Sequence, residues 1–376
     1  MTQPKLILDT FCEVYDLLKP WATDEFWRFV EHKFVEGATY VIGREQFSQN
    51  ISRIRDIAES NRAMIVLSNP TEGSSTLTDQ CRQFGIMDLL SNRKILLLGG
   101  GDMAPEYPCL QYDVFMPKIH NYNENLEAIA RGEEIYTKKQ KPYKFLFLNG
   151  RHRPHRKYLI KKLQQQGLLD QSIWTNLDDC AVDRRGMELF DDNGVNLMQE
   201  PVGIKYLDPY YEVDYFKNRV NQPSTSRYVK HDLFNNTWGE IYLKAEPYID
   251  TYFSLVTETV FHHPYTFRTE KIWKPVAMGH PFVVAANAGY YRDFRNLGFR
   301  TFGHLIDESF DNIENQFDRC ERIVQVVTDL CTGDLADFLA QARDVCKYNQ
   351  QHQIELSRQI RLDLPQRFFD FLKKYT

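Results

Sequence analysis

The sequence predicts an α/β fold made of two Rossmann-like domains, with a cleft between them and helices at the carboxyl terminus. Three observations support this prediction. Short apolar runs alternate with helical patterns over residues 1–130, the alternation restarts after a charged linker at 132–144, and the last part of the chain is helical. Such alternation is typical of parallel sheets with crossover helices. The predicted domains are residues 1–135 and 141–350, followed by a helix over 351–376 that packs back on the first domain.

Five short apolar runs in the first predicted domain have the composition of strands buried on both faces. They lie at residues 5–8, 39–42, 64–67, 94–98 and 114–116. Between them, residues 46–59 and 77–90 carry apolar side chains at intervals of three and four, which is the pattern of a helix that packs on a sheet. We therefore expect a parallel sheet with right-handed crossovers in this domain.

The second predicted domain begins with an apolar run at residues 145–148, followed by a loop and an amphipathic helix that extends through Leu163. Later runs predict strands at 252–256, 281–285 and 300–302. Residues 206–238 are rich in Tyr, Asn and Pro and show poor periodicity, so we expect a long irregular insertion there. From residue 313 onward the pattern is predominantly helical.

Length and composition are those of an ordinary globular protein. The 376 residues are enough for two domains, and 43% hydrophobic with 26% charged residues excludes disorder and fibrous repeats. The net charge of −5 argues against a protein covered in basic surface for duplex nucleic acid, although it is compatible with a local basic groove.

Several features predict a cytoplasmic location. No apolar run approaches the roughly 18 residues of a membrane span. The apolar run at residues 6–8 is interrupted by Asp9, with no signal-peptide cleavage segment behind it. The seven cysteines are an odd number, are widely spread and include no Cys-x-x-Cys pair. A reducing compartment is therefore expected, without a disulfide framework or a zinc site.

The segment with the most chemical information is residues 252–307. A predicted strand ends there at Glu258. After a loop, a short helix begins with Thr269, Glu270 and Lys271. Thr is a good N-cap, and the unpaired N–H groups of a helix N-terminus bind anions such as phosphate. Lys271 adds a full positive charge for a phosphate, and the Glu270 carboxylate can accept hydrogen bonds from ribose hydroxyls.

The same helix opening also has an ordinary structural interpretation. A Glu in the first turn stabilises a helix by about 0.3–1 kcal/mol through the helix dipole, without any ligand. The dipole disfavours a cation at this end, which makes Lys271 the unusual residue. Local physics therefore leaves a phosphate site and a plain helix opening as alternatives.

Three stretches of this region together resemble the donor-nucleotide motif of α-1,3-fucosyltransferases. They read Phe253-x-Leu255-x-x-Glu258-Thr259, Thr269-Glu270-Lys271-Ile272 and Gly279-x-Pro281-x-Val283-Val284. The region is also similar to the carboxyl-terminal domains of exostosin-type and other two-Rossmann (GT-B type) glycosyltransferases. It further resembles phage and viral proteins that carry the same Thr-Glu-Lys segment.

The resemblance implies a glycosyltransferase that uses a nucleotide-diphosphate sugar as donor and has no tightly bound cofactor. In the family pattern, the pair at the helix start, here Glu270 and Lys271, holds the ribose and the pyrophosphate. A strand-end glutamate that matches Glu258 belongs to the same pocket. A basic residue from the loop after the first strand of this domain touches the diphosphate, and both Arg151 and Arg153 match that position.

The loop belongs to a strongly basic stretch. Residues 138–162 contain seven lysines, three arginines and no acidic residue. Arginine forks bind phosphate in a bidentate manner, and a glycine such as Gly150 lets the backbone approach a ligand. The alternative interpretation is a solvated basic helix face, and it applies above all to Lys157, Lys161 and Lys162.

The sequence contains no Asp-x-Asp triplet, the carboxylate pair with which metal-dependent glycosyltransferases hold the cation that bridges the donor diphosphate. We therefore expect a metal-independent site, in which cations and helix N–H groups stabilise the leaving diphosphate. The catalytic base is expected from the first domain. Glu72 and Asp102 follow apolar strands and are the candidates, although both also fit an ordinary turn. Asp9, after the first short strand, is a third and weaker candidate.

The predicted function is hexosyl or pentosyl transfer from a nucleotide-diphosphate donor to an acceptor hydroxyl. The acceptor is open between a cell-surface glycan, a lipid-linked sugar and a small molecule. The resemblance to phage and viral proteins implies one further acceptor, a hydroxymethylated base in viral DNA that the basic stretch and the aromatic insertion would hold. A non-catalytic nucleotide- or sugar-binding protein is the competing class. A dehydrogenase is disfavoured because the glycines at 99–101 do not form a Gly-x-Gly-x-x-Gly motif.

Overall fold

The apolar runs of the sequence form two sheets in a computed structural model, which describes residues 5–151, 153–177, 202–211 and 241–375. Within these ranges, every strand pairing in both sheets is parallel. The chain is therefore α/β, as predicted. It divides into two compact units. Unit 1 comprises residues 1–117, 265–268 and 356–376, and unit 2 comprises residues 118–264 and 269–355.

Unit 1 contains a six-stranded sheet. Its strands are β1 (Leu6–Asp9), β2 (Asp24–Phe26), β3 (Thr39–Gly43), β4 (Met64–Asn69), β5 (Ile95–Gly99) and β6 (Cys109–Gln111). The order across the sheet is β2-β1-β3-β4-β5-β6. The side chains of β1, β3 and β5 are all buried, which explains why these strands read as continuous apolar runs. The first four predicted strands are confirmed, with small shifts at their ends.

Helices cover this sheet. They are α1 (Tyr15–Leu18), α2 (Arg44–Gln49), α3 (Ile51–Glu59), α4 (Ser74–Gln83) and α5 (Met87–Ser91). Each of the two predicted helices is divided in two. One is interrupted at Asn50, and the other at Gly85, whose φ of +65° lies outside the helical region. Ile54, Ile57 and Cys81 face the sheet and pack in its hydrophobic core.

The prediction of a strand at 114–116 is wrong. Phe115–Ile119 forms helix α6, and the last strand of the sheet ends just before it. A short apolar run fits a buried helix as well as a buried strand, so periodicity alone does not separate them. The predicted strand at 300–302 is also wrong, since these residues form no regular element.

Unit 2 contains a four-stranded sheet in its described part. Its strands are β7 (Phe145–Phe147), β8 (Ile173–Trp174), β9 (Phe253–Thr257) and β10 (Phe282–Ala285). The order is β10-β9-β7-β8. The strands predicted at 145–148, 252–256 and 281–285 are confirmed. The two-residue strand β8 is too short for a periodic pattern, so it was not predicted.

The helices of unit 2 include those that begin next to the predicted binding residues. They are α7 (Asn123–Ala130), α8 (Glu134–Thr137), α9 (Pro154–Gln165), α10 (Glu246–Ile249), α11 (Glu270–Met278), α12 (Tyr290–Asn296) and α13 (Gln316–Thr332). None of the helices in the described ranges combines the length and the apolar character needed to cross a membrane. Of the predicted irregular insertion at 206–238, residues 212–238 lie outside the described residues.

The last helix, α14 (Leu335–Leu372), begins in unit 2, and its end belongs to unit 1. Within unit 1, Phe369 meets Trp21 with ring centroids 6.5 Å apart, and Arg367 donates to the Gln111 carbonyl at 2.8 Å. Phe368 is completely buried. The terminal segment therefore packs within unit 1. The predicted domain boundaries at 135, 141 and 351 stay predictions.

Candidate functional site at the switch point of the second sheet

The loops that carry the predicted binding residues open at one edge of the unit 2 sheet. The first strand, β7, has β8 on one side and β9 on the other, so the strand order reverses between β7 and β9. Ligands of doubly wound sheets bind at such a switch point, outside the carboxyl ends of the strands. Helix α9 follows β7 and helix α11 follows β9. Both helix N-termini therefore belong to the edge where a ligand is expected.

Glu258 directly follows β9 and braces the start of α11. Its carboxylate accepts hydrogen bonds from the Thr269 backbone N–H at 3.0 Å and from the Thr269 hydroxyl at 2.6 Å. The Tyr290 hydroxyl donates to it at 3.3 Å. Glu258 is completely buried, and burial raises its pKa against the opposing effects of the Lys271 charge and the Thr269 hydrogen bonds. Because protein donors engage both oxygens, Glu258 holds the site in place.

Thr269 caps α11, as predicted. Its side-chain oxygen accepts a hydrogen bond from the Lys271 backbone N–H at 3.3 Å. The same hydroxyl donates to Glu258, so one side chain joins the end of β9 to the first turn of the helix. This local order follows from the sequence itself, since a threonine directly before a helical segment is a strong N-cap signal.

Lys271 has its ammonium group between two oxygens at this helix start. Nζ lies 3.2 Å from the Thr269 hydroxyl and 2.5 Å from a carboxylate oxygen of Glu270. Burial alone would raise the pKa of Glu270, but the charge and hydrogen bond of Lys271 outweigh it, and the pKa lies below its ordinary value. Glu270 is 3% exposed, whereas the Lys271 side chain is 22% exposed. The buried carboxylate explains how a cation is tolerated where the helix dipole disfavours it.

The loop after β7 brings Arg151 and Arg153 to the same edge of the sheet. Arg153 is the N-cap residue of α9 and is half-buried, while Arg151 is exposed. Arg156, in the first turn of α9, donates to the Arg151 carbonyl at 2.7 Å and to the Thr257 carbonyl at 3.0 Å. The Arg156 guanidinium thus ties the basic loop to the end of β9. His152, in the same loop, lies outside the described residues.

His155 makes a second connection between α9 and the end of β9. Its Nε2 lies 3.0 Å from the Glu258 carbonyl, and its ring stacks on Phe261 with centroids 4.6 Å apart. A carbonyl only accepts, so Nε2 carries the hydrogen and Nδ1 keeps a lone pair. Nδ1 is buried and has no hydrogen-bond partner in the described part of the chain. Burial lowers the pKa of His155 well below its usual value, so the ring is neutral.

Sequence reasoning missed His155 and Arg156 as members of this site. Neither residue type carries a signal of its own within a stretch of ten cations. The interpretation as a solvated basic face is wrong for Lys157, which is buried. Lys161 and Lys162 are half-exposed, and Lys162 pairs with Glu321 at 2.9 Å. The first turn of α9 therefore faces inward, and the basic surface begins two turns later.

The two candidate catalytic bases lie in unit 1, in the loops after β4 and β5. The Gly100 N–H donates to the Glu72 carbonyl at 3.0 Å, so these two loops are adjacent. The Asp102 carboxylate accepts a hydrogen bond from the Gln111 side chain at 3.0 Å and lies 3.7 Å from the Arg268 guanidinium. The loops that carry Glu72 and Asp102 therefore lie side by side at the carboxyl edge of the first sheet.

Gly100 and Gly101, which directly precede Asp102, allow close packing of the backbone. A Cβ on Gly100 would lie 2.0 Å from the Pro70 carbonyl oxygen, and one on Gly101 would lie 2.9 Å from the Thr266 carbonyl oxygen. The Asp102 N–H donates to the same Thr266 carbonyl at 2.9 Å. The glycines thus permit close contact with residues 265–268, which gives this run a purpose other than dinucleotide binding.

Comparison with known proteins assigns no function to this site. No family model, no curated protein and no solved structure matches this chain. Among the described residues, no three histidine, cysteine or carboxylate side chains come together in a way that could hold a metal ion. The edge of the unit 2 sheet combines two helix N-termini with a lysine and several arginines. Such an arrangement suits a phosphate or diphosphate.

Proposed function

We propose that this protein is a glycosyltransferase that binds a nucleotide-diphosphate sugar at the switch point of the unit 2 sheet. The observation that carries the proposal is the connection between the two helix starts. His155 and Arg156 of α9 bond to the end of β9, where the Glu258 side chain braces the start of α11. These contacts hold the loop arginines and the Glu270–Lys271 pair at the same edge of the sheet, which supports the proposal that they form one binding site.

The charged residues suggest which part of the donor each of them would bind. Lys271 and a loop arginine, Arg151 or Arg153, would bind the diphosphate. Glu270 accepts a bond from Lys271 and, as a carboxylate, has further lone pairs for ribose hydroxyls. As the sugar leaves, negative charge grows on the diphosphate, and preorganised cations stabilise that transition state. In this proposal they act in place of a divalent cation, so the reaction is metal-independent.

Calorimetry with ADP, GDP, UDP and CDP tests binding, and hydrolysis of the corresponding nucleotide sugars tests turnover. We expect at least one nucleotide to bind, and Lys271→Ala to weaken it about tenfold to a hundredfold. A hydrogen bond to a charged group contributes about 1.5–3 kcal/mol, and each 1.4 kcal/mol corresponds to a factor of ten. The proposal fails if the wild type binds none of the four up to millimolar concentration and turns over no donor.

Lys162→Ala is the matched control for this experiment. Lys162 also pairs with a carboxylate, but it lies two turns into α9, away from the helix start. We expect it to leave nucleotide affinity unchanged, and an equal loss in both variants would indicate a general effect of basic charge. Binding without turnover of any donor in the presence of acceptor extracts would favour the competing class, a non-catalytic nucleotide-binding protein.

A further inference from the structure

Unit 1 has a switch point of its own, and aromatic residues lie beside it. Strand β1 has β2 on one side and β3 on the other, so the strand order reverses between β1 and β3, and β2 is the neighbour of β1 on the other side. Phe11 follows β1 and Trp27 follows β2, at the carboxyl edge where such sheets bind ligands. The Thr10 N–H donates to the Phe26 carbonyl at 2.9 Å, which holds these two strand ends together.

Phe11 and Trp27 form an aromatic pair in which Phe11 is half-buried and Trp27 is exposed. Their ring centroids are 5.9 Å apart, with the planes tilted by 43°. Trp27 is 62% exposed, and Val30 after it is 60% exposed. Large apolar side chains exposed together at a ligand-binding edge mark a binding surface more strongly than isolated ones do. Trp21 of the same unit is different, because it is 38% exposed and its ring contacts Phe369.

The charge around this pair indicates the kind of ligand. Residues 11–36 contain six carboxylates and three lysines or arginines. This excess of negative charge repels a polyanion such as nucleic acid and leaves a neutral ligand unaffected. Arg28 and Glu31 follow Trp27 and pair at 2.6 Å, with more than half of each side chain exposed. Guanidinium and carboxylate groups offer the donors and acceptors that neighbouring sugar hydroxyls need.

We propose that the Phe11–Trp27 pair binds a neutral carbohydrate, one sugar ring of which stacks its C–H face on the Trp27 indole. The ring covers the exposed indole, while its hydroxyls remain available to the polar side chains of the loop. The binding site stands on unit 1 alone. Its use for the acceptor of a sugar transfer rests on the proposed function.

The test uses the full chain and four simple probes: the methyl glycosides of glucose, galactose, mannose and N-acetylglucosamine. Saturation-transfer NMR and tryptophan fluorescence measure binding. We expect saturable binding of at least one glycoside, weakened about tenfold in Trp27→Ala and less in Trp27→Phe, which keeps an aromatic face. Trp21→Ala is the matched control and is expected to bind like the wild type.

Three results would overturn the proposal. They are no saturable binding of any glycoside, equal losses in Trp27→Ala and Trp21→Ala, or binding of a single-stranded oligonucleotide in place of the glycosides with loss in Trp27→Ala. Nucleotide calorimetry keeps the two proposals apart. Lys271→Ala is expected to leave glycoside binding intact, and Trp27→Ala is expected to leave nucleotide binding intact.

Discussion

The two sheets share one strand order at one end but differ in the residues at their switch points. Both place the first strand between the second and the third, as β2-β1-β3 in unit 1 and β8-β7-β9 in unit 2. In unit 2 the adjoining loops and helix starts carry cations. In unit 1, the buried Asp9 carboxylate accepts the N–H groups of Phe11 and Gly43, each at 2.9 Å. In our two proposals, the residues after each strand direct the same architecture to an anionic ligand in unit 2 and to a neutral ligand in unit 1.

The largest expected effect comes from removing the buried carboxylate at each switch point. Glu258→Ala leaves the Thr269 N–H and hydroxyl without their acceptor, and Asp9→Ala does the same to two backbone N–H groups. We expect each change to lower the free energy of unfolding by about 3 kcal/mol, because hydrogen bonds to a charged group contribute about 1.5–3 kcal/mol and buried donors are left unsatisfied. Urea unfolding measures this.

Ligand binding should separate these two variants. Under conditions where circular dichroism shows that both are folded, Glu258→Ala is expected to lose nucleotide affinity by more than tenfold, since the start of α11 loses its brace. Asp9→Ala is expected to retain it. If Asp9→Ala lost nucleotide binding equally, the assignment of the anionic ligand to unit 2 would be wrong.

Acid should destabilise unit 2 more than unit 1. In unit 2, His280 is buried, with Nδ1 2.9 Å from the Ser254 hydroxyl and Nε2 3.0 Å from the Thr251 carbonyl. Burial lowers its pKa to about 3. The unfolded chain binds a proton below about pH 6.5 that the folded unit binds only near pH 3, so stability falls as pH drops through this range. The expected loss is about 2 kcal/mol at pH 5. Unit 1 contains a single histidine, His32.

Measuring the free energy of unfolding at pH 7 and at pH 5 tests whether stability falls as the pH drops. His280→Gln keeps a donor for the Thr251 carbonyl but does not titrate, so the difference in stability between the two pH values should shrink. His304→Gln, at an exposed position of the same unit, is the control and should keep the wild-type difference. An unchanged pH dependence in His280→Gln would contradict the argument.

How far the sequence predicts this molecule depends on how local the signal is. The buried strands β3, β4 and β9 and the Thr269 cap are visible in short stretches of sequence. The edge strand β2 was missed, because two of its three residues are exposed. The contact of His155 with Glu258 joins residues 103 positions apart. No pattern within one segment predicts such a contact, and so the connection between the two helix starts required the structure.

Gly100 and Gly150 each follow a strand, one in unit 1 and one in unit 2, and they differ in the space around them. A Cβ on Gly100 of unit 1 would lie 2.0 Å from a backbone oxygen, whereas one on Gly150 of unit 2 would have none of the described residues within 4 Å apart from its chain neighbours. Gly100→Ala is expected to destabilise the protein by about 1–3 kcal/mol, as overpacking does. Gly150→Ala is expected to stay within about 0.5 kcal/mol of wild type.

Nucleotide affinity gives the second readout for these glycines. If a diphosphate approaches the loop backbone, the added methyl group of Gly150→Ala should weaken binding while the melting temperature hardly changes. Gly100→Ala should show the reverse. A Gly150→Ala protein with full nucleotide affinity would mean that the ligand does not approach the backbone at this position.

The smallest effect on stability is expected for Asp102→Asn. Asp102 lies 3.7 Å from the Arg268 guanidinium and is one-third exposed, and Asp113 lies 3.4 Å from the same guanidinium and keeps it paired. The loss should therefore stay below about 1 kcal/mol, the usual range of exposed ion pairs. If Asp102 is the catalytic base, sugar transfer should nevertheless fall about a hundredfold or more, with nucleotide affinity unchanged. Glu72→Gln is the parallel variant, and full transfer activity in both would show that neither carboxylate is the base.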